Sequence, residues 1–256
     1  MRAPHSDLPT IAADILERIR ARRPRVHCIT NAVAQTLTAN MLLSAGAVPS
    51  MTIAAREVRA FAARADALLV NLGTFDPERQ KAALTAIPAV QKTGRPWVLD
   101  PVFIDRSPPR AAFARKLLAK RPQAVRLNRA EFETLSGGTF DAAALARFAK
   151  SRRTAIGLTG ARDFVRDATR TAAIDNGHPL MTKVTAMGCA GSAMVAACLA
   201  VEPDAFRATA SALIVMGVAG ELAAKRARGP GSFAVEILDA VHGLNRRTLL
   251  AKAKVS

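Results

Sequence analysis

Apolar positions along the chain alternate between two spacings. Ile11, Ile15, Leu16 and Ile19 recur on one helical face, which predicts a first helix capped by Thr10 and ended by Pro24. Short apolar runs then take turns with helical stretches. Residues 26–29, 48–51, 67–71, 96–100, 123–127 and 154–158 read as strands. Between them, helices run to about Ser44, over 56–63, 77–92 and 110–120, from about Arg129, and over 141–150. Gly46 and Gly94 stop two of these helices. Residues 164–166 and 171–174 pair as a hairpin, and three helices, from Gly188, Pro203 and Ser232, close the chain. Repeated strand–helix alternation implies an α/β fold: a mostly parallel central sheet with helices on both faces. No repeat, low-complexity segment or shift in composition divides residues 1–256, so a single domain is expected.

The strand ends are polar. Ile29 leads into Thr30-Asn31, Val70 into Asn71, Leu99 into Asp100, Leu127 into Asn128 and Leu158 into Thr159-Gly160. A single polar residue after a strand is ordinary turn chemistry. Five at corresponding ends point to a shared crevice, because ligands of such sheets bind beyond the carboxyl ends of the strands.

Small apolar residues run from Met187-Gly188-Cys189 through Ala200, behind a β-branched and apolar lead-in from Leu180 to Thr185. One reading is a loop opening a buried helix whose first N–H groups hold an anion. The helix's positive end would then lower the Cys189 thiol pKa and make it a base. The other reading is a loosened turn before a core helix with an inert cysteine.

Composition narrows the class. Half of the 256 residues are apolar, enough for a full core. Cys28, Cys189 and Cys198 show no disulfide or metal spacing, and no secretory segment is evident, so a reduced, cytoplasmic protein is expected. Residues 1–25 are arginine-rich but contain Asp7, Asp14 and Glu17, which argues against a transit peptide. Charged residues interrupt every apolar run, so no membrane span is expected. The net charge of +17 would suit a polyanionic partner, but the cations are scattered, aromatics are scarce and tyrosine is absent, which argues against nucleic acid.

In order along the chain stand Val26-His-Cys-Ile-Thr-Asn31, Thr38-Ala-Asn40, Gly46-Ala-Val-Pro-Ser-Met51, Asn71-Leu-Gly-Thr74, Leu99-Asp-Pro-Val102, Thr159-Gly160, Asn176-Gly-His178, Thr182-Lys-Val-Thr185 and Gly229-Pro-Gly-Ser-Phe233. This series resembles the hydroxyethylthiazole kinase family of thiamine salvage, within the ribokinase-like superfamily. The resemblance implies a three-layer ribokinase-like fold. It also implies phosphorylation of the primary alcohol of 4-methyl-5-(2-hydroxyethyl)thiazole by ATP and Mg²⁺, in a homotrimer with active sites between subunits. By the same resemblance Asn31, Met51 and Ala186 bind substrate. Arg126, Thr159, Gly160 and Gly188 bind ATP, Asp100 and Glu131 lie by the metal, and Cys189 sits at the reacting alcohol.

Read without the resemblance, several of these residues have plainer roles. Arg126 is a solvated strand-end charge, Met51 is core, Asp100 is an Asp-Pro turn, and Glu131 complements a helix dipole. The chain also departs from the family pattern. Ala186 replaces a glycine, which disfavours a positive φ. Phe103-Ile-Asp-Arg-Ser107 replaces a glycine-rich loop and brings bulk and charge towards the phosphates. The stretch between Glu131 and Thr154 is shorter than usual. These departures leave open a kinase for another heterocyclic alcohol, or a relative that binds thiazole or nucleotide without turnover.

Overall fold

The computed structural model describes residues 7–256. The segment read for a transit peptide lies partly outside them, at residues 1–6. Among the described residues eight strands form one sheet: β1 (Arg25–Ile29), β2 (Val48–Ser50), β3 (Ala67–Asn71), β4 (Trp97–Asp100), β5 (Ala124–Asn128), β6 (Ala155–Thr159), β7 (Asp163–Arg166) and β8 (Thr171–Ile174). Their order is β2-β1-β3-β4-β5-β6-β7-β8. The first six are parallel, and β7 and β8 form the expected antiparallel hairpin. Residues 254–256 run along the outer side of β8, through the Ile174–Val255 bridge and backbone bonds between Ala173 and Ser256.

Eleven α-helices lie among the described residues. On one face sit α3 (Val58–Arg64), α4 (Pro77–Lys92), α5 (Pro108–Leu118), α6 (Arg129–Ser136) and α7 (Ala142–Arg152). On the other sit α1 (Leu8–Arg22), α2 (Gln35–Ala45), α8 (Met187–Leu199), α9 (Ala205–Arg226), α10 (Pro230–Gly243) and α11 (Arg246–Lys252). Strand residues alternate between the two cores. Leu68, Val70, Leu99 and Val125 face the first, and Ala67, Leu69, Val98 and Ala124 face the second. The result is the expected three-layer arrangement.

The structure differs from the sequence-based expectations at four points. Thr10 lies inside α1, whose N-cap is Asp7, because Pro9 suits the first turn and starts the helix earlier. Four helices rather than three follow the hairpin. The fourth, α11, is a seven-residue helix capped by the Asn245 side chain, too brief to show a full apolar stripe. A 3₁₀ turn at Ile104–Arg106 also precedes α5. Finally, α9 is long and apolar enough to cross a membrane by length and composition, with a mean hydropathy of 1.3. Within the fold it is a core helix, and 78% of its apolar window is buried.

Part of the scattered positive charge has a local role. Basic residues occupy the last turns of α1, α3, α4, α5, α7 and α9, where they complement the negative ends of the helix dipoles.

Candidate active site

Period-two alternation decides which polar strand ends meet. Asn71, Asp100, Arg126 and Thr159 each stand two residues beyond a position facing α8 and α9: Leu69, Val98, Ala124 and Gly157. All four therefore project to the face where α8 begins. Asn128 instead caps α6, with its side chain accepting from the Glu131 N–H, so at that strand end turn chemistry accounts for the residue.

At the β5–β6 end lies a cavity of about 620 Å³, lined by Arg126, Thr159, Gly160, Asp163, Met187 and Gly188 among others. Its far wall carries Leu213 and Met216 of α9, and residues 176–179 with Met181 and Thr182 rim it. The four positions assigned to ATP all line this space. The Arg126 guanidinium lies across the start of α8. A Cβ at Gly188 would stand 3.2 Å from its Nη1, and one at Gly191 would stand 3.4 Å from its Nε. Glycine at both positions leaves the guanidinium room to lie close against the helix end. The Arg126 Nε is buried without a hydrogen-bond partner among the described residues. This is no solvated strand-end charge.

Two carboxylates stand beside it. Asp100 is buried, and its Oδ2 accepts from Asn71 Nδ2 at 2.6 Å and Ser192 Oγ at 2.7 Å. Burial raises its pKa, while Arg126 and the two donors oppose that rise. Glu131 is buried in the first turn of α6. Its Oε1 accepts the Phe103 N–H at 3.0 Å and its Oε2 the Asn128 N–H at 2.9 Å. Burial, and then repulsion by Asp100, push Glu131 up to about 7. The charge strain between these two acids is what a divalent cation would relieve, and each retains free lone pairs. No group of three metal-binding side chains occurs among the described residues. A pair of carboxylates fits magnesium, which keeps waters and nucleotide oxygens in its shell.

Cys189 lies in the first turn of α8, as expected, but its electrostatics are the reverse of the expectation. Burial, and then the Asp100 charge, push the thiol up to about 12, so it is neutral. Desolvation beside a carboxylate outweighs the helix dipole here. Ala186 is the N-cap of α8 and adopts φ 67, ψ 0 despite its methyl group. The left-handed turn is thus kept without glycine, at a cost of about 1 kcal/mol. Phe103 also takes a positive φ, 58°. Its backbone N–H serves Glu131, while its ring is 47% exposed with the Arg106 guanidinium 5.1 Å from the centroid. The bulk expected near the phosphates is thus in large part turned to solvent.

Asn31 and Met51 are not brought to the cavity. Asn31 follows β1, and its Oδ1 accepts from Thr74 Oγ1 and Val33 N, both at 3.1 Å. Met51 follows the edge strand β2 and packs partly against the core. Asp163 and Ser192 take site roles that the sequence pattern does not assign, and Asn71, expected only as a polar strand end at the crevice, takes a specific one. Asp163 lines the cavity and accepts the Gly160 N–H, while Asn71 and Ser192 hold Asp100. Ser192 carried a usable signal, as the one hydroxyl among the small residues one turn after Cys189.

Comparison with known proteins identifies the family. The model of the hydroxyethylthiazole kinase family matches residues 16–247. The chain is 45% identical over 251 residues to a probable hydroxyethylthiazole kinase of Agrobacterium fabrum, covering 97% of each. It is 43% identical to the hydroxyethylthiazole kinase of Granulibacter bethesdensis, covering 94% of this chain and 92% of the relative. The hydroxyethylthiazole kinase structure from Pyrococcus horikoshii superposes with a TM-score of 0.92 at 35% identity, over 96% of this chain and 98% of the other. A ribokinase-like superfamily protein from Enterococcus faecalis, at 16% identity and a TM-score of 0.69 over 91% and 95% of the two chains, shares the fold. With its three layers, its carboxylate pair and its arginine-lined cavity at the start of α8, the chain belongs to the hydroxyethylthiazole kinase family, a family of kinases with the ribokinase-like fold.

Proposed function

We propose that this chain transfers the γ-phosphoryl group of ATP to the primary alcohol of 4-methyl-5-(2-hydroxyethyl)thiazole, as a kinase of thiamine metabolism. The observation that carries the nucleotide assignment is Arg126: a cation beside a cavity, with its buried Nε lacking a partner and its guanidinium laid against a helix N-terminus. A polyphosphate supplies what that arrangement lacks.

Phosphoryl transfer through a loose transition state needs in-line positioning and charge neutralisation above all. The free N–H groups of Met187, Gly188 and Cys189 would hold the transferring phosphoryl. Arg126 would offset negative charge on the chain of phosphates, with Thr159 and Gly160 along the cavity wall. Asp100 and Glu131 would hold magnesium, which when bound would neutralise the phosphate oxygens. The neutral Cys189 thiol would pack against the alcohol and accept no proton from it.

The acceptor half is proposed to lie at Asn31 and Met51, completed by a second subunit of a homotrimer. Val33 just after β1, Val48 in the edge strand β2, and Phe61 of α3, which stands against His27 of β1, are exposed apolar residues that a subunit contact would cover. The three free cysteines suit a cytoplasmic setting. Incubating the protein with ATP, Mg²⁺ and the thiazole alcohol should yield the phosphate ester by mass spectrometry. Folded protein that yields no ester above the enzyme-free control would refute the assignment.

A further inference from the structure

Asn71 and Asp100 end neighbouring strands and are direct partners in the parallel register of β3 and β4. Strands lie about 4.8 Å apart, so two side chains at matched ends of one face must meet. They do so with a donor on one side: Asn71 Nδ2 gives its hydrogen to Asp100 Oδ2 at 2.6 Å. The amide is locked in that sense, because its Oδ1 accepts the Gly73 N–H at 2.9 Å. Turning it over would break both bonds.

From the opposite side Ser192 Oγ donates to the same Oδ2 at 2.7 Å. The hydroxyl has one hydrogen to give. Its alternative acceptor, the Gly188 carbonyl, is more distant at 3.3 Å. Asn71 is 1% exposed and Ser192 0%, so water competes for neither bond. Oδ2 therefore takes both buried donors, and Asp100 Oδ1 accepts no hydrogen bond among the described residues.

Such an asymmetric grip has a chemical consequence. Arg126 acts electrostatically on Asp100. A carboxylate free to rotate would turn towards that guanidinium, and each charge would then satisfy the other instead of a ligand. We propose that Asn71 and Ser192 are positioning residues for Asp100: by gripping Oδ2 they keep Oδ1 as the oxygen offered to a magnesium–nucleotide complex, and keep the carboxylate away from Arg126. This rests on the reading of Asp100 as a metal-binding carboxylate.

Calorimetric titration of ADP, with and without Mg²⁺, reads the point directly. The measured quantity is the factor by which magnesium tightens ADP binding. Groups that orient a metal ligand typically affect metal affinity by about 10–100-fold. Ser192→Ala should therefore cut the tightening factor by about tenfold or more while leaving magnesium-free ADP affinity unchanged. Asn71→Leu, similar in volume, should do the same. Ser192→Ala removes one atom from an alanine-rich helix and will fold, so it decides the matter alone if Asn71→Leu does not fold.

Asp100→Asn separates the two levels of the argument. If it leaves the magnesium effect intact, the metal assignment of Asp100 falls. If it removes the effect while Ser192→Ala and Asn71→Leu keep it, the positioning role alone is overturned. An equal loss of ADP affinity with and without magnesium in Ser192→Ala would also overturn it, since that is the mark of general loosening.

Discussion

Beyond β5 and β6 one chain encloses a cavity by itself, whereas beyond β1 and β2 the same sheet stops at an exposed edge. The cavity end has a guanidinium, a helix N-terminus and apolar walls from α9, all supplied by elements packed on both sides. The open end has Asn31 and Met51 just after β1 and β2, with the exposed Val33 and Val48 close to them in the chain and Phe61 against His27 of β1. Highly charged phosphates need cations fixed in advance in a partly desolvated wall, and here the middle of the sheet supplies one at Arg126. A small, mostly apolar heterocycle needs enclosure more than charge, and a second copy of the chain could provide it. The difference predicts that damage at one end will be felt as nucleotide loss and damage at the other as acceptor loss.

The sharpest break in that division is Arg126→Ala. Removing a preorganised charge from the transferring phosphates should lower kcat/KM by about 10²–10³-fold. Arg126→Lys should recover only part, because an ammonium cannot present the planar fork. Steady-state kinetics with ATP varied would detect the loss, and near wild-type values would remove Arg126 from the nucleotide site.

Next comes the acid sensitivity of the open end. His27 in β1 bonds Ser50 Oγ of β2 through Nδ1, and burial lowers its pKa to about 4 from an ordinary 6.5. The unfolded chain therefore binds more protons between those values, so stability is intact above pH 6.5 and falls as pH drops towards 4. The contribution is at most about 3 kcal/mol. Thermal midpoints over this range should decline in the wild type and flatten in His27→Gln. A parallel decline in both would show that other groups carry the acid sensitivity.

Phe61→Glu tests the edge itself. A charge placed there should dissociate the proposed trimer and raise KM for the alcohol by about tenfold, equivalent to 1.4 kcal/mol. ADP affinity should stay unchanged. A variant that sedimented as a trimer with normal KM would mean that the acceptor half is completed elsewhere.

Cys189→Ser should have the smallest effect. With the thiol held neutral, no general base is lost, so the decrease should stay below the about 10²-fold lower end of general-base effects. A larger loss, measured at saturating ATP and alcohol, would restore a proton-transfer role.

The element order and the crevice could be read in the sequence because both rest on local periodicity. Strand ends such as Asn71 and Asp100 fall at a change from apolar to polar, and Pro77 and Gly46 punctuate the helices where expected. The Cys189 thiol was misjudged because a helix dipole is visible in sequence and desolvation by a distant strand is not. Ser192 and Asp163 were missed for a related reason. Their partners lie 92 and three residues away respectively, across packing or within a loop whose shape no spacing rule supplies. Ala186 shows the limit of residue-by-residue propensity, since the surrounding fold imposes φ 67 on an alanine.

Helix α8 carries the anion-binding turn, Cys189, the gap that admits Arg126 and the hydroxyl that grips Asp100. It also packs against β1, β3 and β4, and its Ala190, Ala193 and Ala197 have no exposed surface. The closeness of that contact is set by methyl-sized side chains. Adding two carbons at any of the three would lift the helix and shift the whole constellation together. For this protein, then, hidden filler residues and chemical residues are under one dimensional tolerance. An enlarged alanine in the interior would present itself in an assay as an active-site defect, and a compensating change would be sought on the facing strand rather than in the crevice.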